Sequence, residues 1–153
     1  MQDLIIRDAL EADLPFIVGL IANDPIAAAR DTELPGDAAA QMDGFQAIVA
    51  DPNHRLLVAE LAETPVGSFQ LSFIPGVARG GAWRGQIEAV RVAPAHQGRG
   101  IGEAMMRWAI EQCRDRGCAL VQLTSDRSRT DAHRFYERLG FAASHSGFKL
   151  KLG

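Results

Sequence analysis

The sequence contains few of the residues that mark disulfide-rich, metal-binding or strongly basic proteins. Its two cysteines, Cys113 and Cys118, are too few for a disulfide framework or a cysteine-rich zinc site. The four histidines lack the spacing of metal ligands, so we expect no bound metal. Arginine outnumbers lysine by fourteen to two, yet the net charge is −3. This charge balance argues against nucleic acid as an obligate partner.

Long apolar runs are also missing. Pro15 and nearby charges interrupt the first apolar stretch, and the opening residues MQDL lack the basic character of a signal peptide. We therefore expect a cytoplasmic protein without a membrane span. With 153 residues and 47% hydrophobic composition, the chain suits one domain, 1–153, that buries a core.

Apolar periodicity predicts a mixed α/β fold in the order β-α-α-β-β-β-α-β-α-β-β. The predicted strands are 4–7, 55–62, 66–74, 87–92, 118–123, Phe141 and 148–152. The predicted helices are 14–21, 38–50, a helix from the glycines near 100 to Gly117, and 132–139. Residues 23–37 and 75–85 are predicted loops.

A glycine-rich turn, QGRGIG at 97–102, separates the strand that ends at Val92 from the helix after it. Glycines adopt positive φ readily and let a ligand approach the main chain. Unpaired N–H groups and the helix dipole then favour a phosphate or diphosphate. A Walker A loop needs Lys after its last glycine, and a dinucleotide fingerprint needs a third glycine, but Glu103 stands in both places. A turn that binds nothing stays open as an alternative.

The turn matches the Q/R-x-x-G-x-G/A signature of the GNAT superfamily of N-acetyltransferases. The segments VRVAP at 90–94 and AHRFYERLGF at 132–141 also resemble segments of that family, and the predicted element order resembles its fold along almost the whole chain. The resemblance implies a mostly antiparallel sheet of six to seven strands, flanked by about four helices and splayed between the fourth and fifth strands.

The resemblance also implies acetyl-CoA as the co-substrate. In the family, main-chain N–H groups of the signature hold the diphosphate, and the pantetheine arm pairs with the preceding strand like an added strand. Arg129 stands where many relatives have an asparagine that holds the CoA arm; Arg127 and Arg129 either reach a cofactor phosphate or are solvated. The implied cofactor-binding residues are Val90, Arg91, Val92, Gln97, Gly98, Arg99, Gly100, Ile101, Gly102, Glu103 and Arg129.

Two side chains are predicted to be catalytic. Strand alternation puts Glu88 on the same face as Val90 and Val92, where it either accepts the proton that an amine must lose or pairs with an arginine or the substrate. Tyr136 matches the family tyrosine that lies near the sulfur and acts as general acid; the alternative is packing beside Phe135. A backbone N–H, that of Val92, would polarise the thioester carbonyl.

These residues favour acetyl transfer to a primary amine of a small molecule by direct attack in a ternary complex. Two alternatives stay open: acetylation of a protein N-terminus or lysine, and a non-catalytic module that senses CoA. Neither nucleic acid nor membrane is an expected partner, while a homodimer stays open because dimers are frequent in the family.

Overall fold

The computed structural model describes residues 3–26 and 37–152, and all statements about structure refer to these. The predicted loop 23–37 therefore lies mostly outside the described residues. The strands are β1 (Leu4–Asp8), β2 (His54–Leu61), β3 (Thr64–Ile74), β4 (Trp83–Val92) and β5 (Cys118–Leu123). The helices are α1 (Leu14–Ala22), α2 (Ala38–Ala50), the single turn α3 (Ala78–Gly81), α4 (Ile101–Asp115) and α5 (Thr130–Arg138).

The strands form one open sheet in the order β1-β2-β3-β4-β5. The first four pair antiparallel, and β5 pairs parallel to β4. Pairing between β4 and β5 ends at Ile87 and Leu123, although β4 continues to Val92. Among the described residues, 88–92 of β4 therefore have no partner in β5, which itself ends at Leu123, and the splay between the fourth and fifth strands stays a prediction.

Helices cover both faces of the sheet. On one face, Leu57 and Phe69 of the strands pack with Met105 and Met106 of α4, and all four are at most 1% exposed. On the other face, Val58 packs with Ile17 of α1 and Phe45 of α2. Leu57 and Val58 point to opposite faces of the sheet, and both faces are covered by apolar side chains. This explains why the central strands appear in the sequence as continuous apolar runs.

The structure differs from the predicted sheet in two places, the last predicted strands and the start of β4. The described residues contain five strands, not six to seven, because residues 141–152 form neither strand nor helix. Phe148, Leu150 and Leu152 keep the alternation of a strand but are 92%, 87% and 87% exposed, so no sheet face covers them. β4 also begins earlier than predicted, at Trp83, because Arg84 and Gly85 already pair with Ile74 and Phe73.

The helix prediction needs one addition. The predicted loop 75–85 contains the turn α3, in which Arg79 and Gly80 have left-handed φ angles of 55° and 70°. This turn closes the β3–β4 hairpin and adds a short helix to those that the sequence predicted. None of the described helices is long and apolar enough to cross a membrane.

Candidate active site

A bulge in β4 organises the site. Ser68 pairs with Arg91 and Gln70 pairs with Glu88, so that Phe69 alone lies opposite two residues, Ala89 and Val90. Ala89 has φ 55°, in the left-handed region that non-glycine residues rarely adopt. Such a bulge inserts one residue into a strand and changes which face the following side chains occupy.

The bulge corrects the predicted position of Glu88. Val90 and Val92 pack against the α4 side of the sheet, whereas Gln70, the cross-strand partner of Glu88, lines a cavity on the α1–α2 side. Cross-strand partners project to the same face, so Glu88 lies opposite Val90 and Val92. Strict alternation failed here because it counted no inserted residue. The exposed Glu88 therefore belongs to the α1–α2 face.

The carboxylate of Glu88 accepts a hydrogen bond from one amide, which is itself bonded to a second, and neither amide was predicted from the sequence. Gln86 Nε2 donates a short hydrogen bond to Glu88 Oε1. Gln122 Nε2 donates to Gln86 Oε1 at 2.8 Å, across the parallel pairing of β4 and β5. The i, i+2 spacing of Gln86 and Glu88 indicates a shared face, but only the register of β5 reveals Gln122 as the third member.

The glycine turn leads directly into α4. Gly98 and Gly100 have φ of 75° and 81°, as their predicted role requires, and Gly100 is the residue immediately before the helix. The first helical bond here is from Ala104 N to Gly100 O, at 3.1 Å, so the amides of residues 101–103 have no helical acceptor. Residues 97–100 are exposed, and amides without a helical acceptor at a helix start are of the kind that suits an anion.

Two polar side chains of the predicted cofactor site have partners within the protein. Gln97 Nε2 donates to Val92 O at 3.1 Å, which ties the glycine turn to the end of β4. Glu103 accepts a bond from Arg107 Nη2 at 2.7 Å, one helical turn further on. Gly102 lies near Val92 and Phe135, and a β-carbon there would make ordinary contacts of 3.9 and 3.7 Å. The turn therefore touches both β4 and α5.

Tyr136 lies in α5, half-buried among aromatic rings. Its ring centroid is 5.2 Å from that of Phe135 and 6.0 Å from that of Phe141. Burial raises the pKa of the phenol above its ordinary value, and the charge of Arg129 acts in the opposite direction. The phenol therefore stays protonated at neutral pH.

Two arginines contact one carboxylate on the α1–α2 side of the sheet. Arg129 Nη2 donates to Asp24 Oδ2 at 2.7 Å, and Arg91 Nε donates to the same oxygen at 3.3 Å. Both arginines are predicted cofactor-binding residues, whereas Asp24, which is 67 and 105 residues away from them, was not predicted. No local pattern links residues so far apart.

A cavity of about 220 Å³ lies between the sheet and the helices α1 and α2. Apolar side chains of the two helices form most of its wall, and the sheet contributes Leu56, Ser68, Gln70, Ala89 and Arg91. The bulge residue Ala89 therefore opens onto this cavity. Across the described residues, no group of three or more His, Cys, Asp or Glu is placed to hold a metal ion.

The open sheet, the bulged strand and the glycine turn before a helix define a class of acyl-transferring proteins. The acetyltransferase (GNAT) family model matches residues 21–141, and the chain belongs to this family. An aminoalkylphosphonate N-acetyltransferase of Salmonella typhimurium is 36% identical over 118 residues, which is 76% of this chain and 75% of that protein.

Two further relatives extend the comparison. A glucosamine 6-phosphate N-acetyltransferase of Trypanosoma brucei brucei is 39% identical over 87 residues, 57% of each chain. The crystal structure of a protein described as a transcriptional regulator, from Bacillus halodurans C-125, superposes with a TM-score of 0.90. It is 42% identical, and the match covers 97% of this chain and 99% of that one.

Proposed function

We propose that this chain is an acetyl-CoA-dependent N-acetyltransferase that acts on the primary amine of a small molecule by direct attack in a ternary complex. The observation that carries the proposal is the glycine turn, whose left-handed Gly98 and Gly100 expose main-chain amides at the start of α4. Such amides suit the diphosphate of CoA. Beside them, residues 88–92 of β4 have no β5 partner, which suits a pantetheine arm.

The proposed reaction gives Glu88 the role of base and Tyr136 the role of hydrogen-bond donor. An alkylammonium has a pKa near 10, so it must lose a proton before it attacks. Glu88 accepts that proton, directly or through water, and the amine nitrogen then forms its bond to the acetyl carbon as the carbon–sulfur bond breaks. The N–H of Val92 polarises the carbonyl.

Tyr136 serves the departing sulfur. A thiol has a pKa near 8.5, below even the ordinary phenol value near 10, and burial raises the pKa of Tyr136 further. Complete proton transfer from the phenol to a thiolate is therefore uphill by more than about 2 kcal/mol. A strong hydrogen bond from Tyr136 to the sulfur supplies the stabilisation instead, and the departing thiolate takes the second proton that the attacking nitrogen loses.

The small-molecule acceptor is favoured by the relatives and by the cavity. Two relatives are named for small amines, an aminoalkylphosphonate and glucosamine 6-phosphate. The cavity beside Ala89 has a volume of about 220 Å³, which suits a small molecule better than a folded peptide segment. A second candidate, a CoA-binding regulator without turnover, is favoured by the relative described as a transcriptional regulator.

Calorimetry with CoA, combined with thiol release on a panel of amines, tests the proposal. Gly117, at the other end of α4, has the same φ of 81° as Gly100 and open space around it. Gly117→Ala and Gly100→Ala should each cost about 1 kcal/mol of stability. Only Gly100→Ala should weaken CoA binding, by about tenfold or more. CoA binding without turnover on any amine would favour the regulator, and no CoA binding would refute both.

A further inference from the structure

Arg91 and Arg129 converge on one carboxylate in a largely buried position. Both guanidinium groups donate to Asp24 Oδ2, at 3.3 and 2.7 Å. The side chains of Arg91, Arg129 and Asp24 are only 16%, 29% and 13% exposed. Partly buried charges interact more strongly with one another and with a bound ligand than fully exposed charges do.

The three side chains carry two positive charges against one negative charge. Within residues 3–26 and 37–152, Asp24 is the only carboxylate that forms an ion pair with either arginine. Arg91 uses its Nε atom and Arg129 uses its Nη2 atom in these bonds, and each guanidinium has further N–H donors. The arrangement therefore favours a second anion, which those donors would bind in a charge-assisted way.

Arg91 places this excess positive charge beside the cavity in which the amine acceptor would bind. Arg91 lines the cavity together with Ala89, and Glu88 lies on the same face of β4. Three residues along a strand span about 10 Å, less where a bulge compresses it. An ammonium group at Glu88 and an anionic group at Arg91 fit within that span when two or three carbons separate them.

We propose that the acceptor is a short zwitterionic amine, whose oxyanion binds Arg91 and Arg129 while its amine faces Glu88. This proposal rests on the proposed function, because it names the class of the amine that the site acetylates. The rival acceptor is a diamine, which would use Asp24 and Glu88 as two carboxylate contacts. The charge count at Arg91, Arg129 and Asp24 favours the zwitterion.

Acceptors with similar carbon chains but different charge test the proposal on the unmodified protein. We expect kcat/KM for 2-aminoethylphosphonate or β-alanine to exceed that for propylamine or 1,3-diaminopropane by about tenfold or more. The two anionic probes distinguish a phosphonate from a carboxylate as the preferred oxyanion. The KM of the anionic probe should also rise with salt, because its contact is ionic.

Arginine variants then locate the contact. In Arg91→Gln and Arg129→Gln, the ratio of kcat/KM for the anionic probe to that for propylamine should fall about 10- to 100-fold. Arg134, exposed on α5 and paired with Asp131, provides Arg134→Gln as a control with the same loss of charge and an unchanged ratio. Arg91→Lys and Arg129→Lys keep the charge and should recover part of the ratio.

The outcomes separate this proposal from the one on which it rests. Efficient turnover of propylamine or 1,3-diaminopropane with poor use of both anionic probes would overturn the zwitterion and leave the acetyltransferase standing. An equal loss on all acceptors in the two glutamine variants would assign the arginines a structural role. Turnover on none of the four amines would overturn the zwitterion, and the wider amine panel would then decide whether the acetyltransferase stands.

Discussion

The thiol of Cys113 in α4 fills the space beside Gly85 in β4, where a β-carbon would lie only 2.2 Å from the sulfur. Cys113 is 1% exposed, and its burial raises the pKa of the thiol to about 12, so it remains a neutral, well-packed group. Gly85 thus has a packing role, because it lets the helix approach the strand that carries the candidate site.

Gly85→Ala should destabilise the protein by about 1–3 kcal/mol, since the new methyl group must displace the sulfur or the helix. The double variant Gly85→Ala/Cys113→Ala should lose less stability than the sum of the two single variants, because alanine at position 113 removes the sulfur that clashes with the new methyl group. Urea unfolding measures both effects. Gly44→Ala, in α2 with no atom within 4 Å of the added carbon, should instead stabilise by about 0.5–1 kcal/mol. Strict additivity of the first two changes would contradict the packing argument.

The ion pair of Arg7 and Asp13 predicts the acid stability of the fold. The Asp13 carboxylate, 7% exposed, accepts bonds from Arg7 Nη1 and Nη2 at 2.8 and 3.0 Å and from Leu10 N at 2.7 Å. The hydrogen bonds from Arg7 lower the pKa of Asp13 below its ordinary value. Its stabilisation is therefore fully present above the unfolded pKa near 3.9 and is lost as the pH falls through the lower, folded value.

Asp13→Asn should cost about 2 kcal/mol at neutral pH, and the difference from the unmodified protein should shrink as the pH falls below about 4. Thermal unfolding across an acid series measures this difference. Asp131→Asn is the matched control, because the side chain of Asp131 is 98% exposed and its loss should cost less than about 0.5 kcal/mol. A pH-independent cost at Asp13 would mean that packing, not charge, makes the contribution.

The sequence predicts most of this fold because its strongest patterns are local. The helix α2 begins at Ala38 and ends at Ala50 as predicted, since Asp37 caps its start by accepting a bond from Ala40 N. The glycine turn was equally predictable, because a positive φ, as at Gly98 and Gly100, is favoured by glycine itself. The prediction of a final strand was wrong. Alternation at Phe148 and Leu150 indicates an extended conformation, but a strand also needs a neighbouring strand, which alternation does not provide.

The candidate site was less predictable, because its side chains meet across strands and helices. The face of Glu88 depends on the bulge at Ala89, and an alanine carries no local signal for left-handed φ. Asp24 and Arg129 meet across 105 residues, and Gln122 reaches Gln86 through the register of two parallel strands. These contacts follow from tertiary packing, which no spacing rule along one strand expresses.

Tyr136→Phe should lower kcat about 100-fold and leave the dissociation constant of CoA within about twofold. The phenylalanine keeps the ring contacts with Phe135 and Phe141 and removes only the hydroxyl group. Because burial raises the pKa of Tyr136, its titration should not limit the rate of the unmodified enzyme below about pH 10. Single-turnover kinetics and calorimetry supply the two readouts. Comparable losses in rate and affinity would contradict a role at the sulfur.

Glu88→Gln should reduce kcat/KM about 10- to 100-fold near neutral pH, with a smaller reduction near pH 10, where the amine is already largely neutral. Gln86→Ala should reproduce a weaker form of this effect, since Gln86 holds the Glu88 carboxylate. Gln46→Ala, at an exposed position of α2, is the control and should change neither value. A loss at Glu88 that is equally large at both pH values would point to substrate binding instead of proton transfer.

The exposed segment 141–152 and the outer edge of β5 predict self-association. In the described part of the chain, β5 pairs only with β4, and the segment passes close to the end of β5: a β-carbon on Gly147 would lie 3.7 Å from Thr124 Cγ2. Phe148 and Leu150 are spaced to cover one face of an added strand, and open edges favour such pairing.

We expect a dimer in which this segment of each copy pairs with β5 of the other. Phe148→Ser combined with Leu150→Ser should give a monomer by light scattering, whereas Val77→Ser, at an isolated residue that is 95% exposed, should leave the dimer intact. A monomeric parent protein whose 148–152 amides are protected from hydrogen exchange would show that the segment pairs within its own chain.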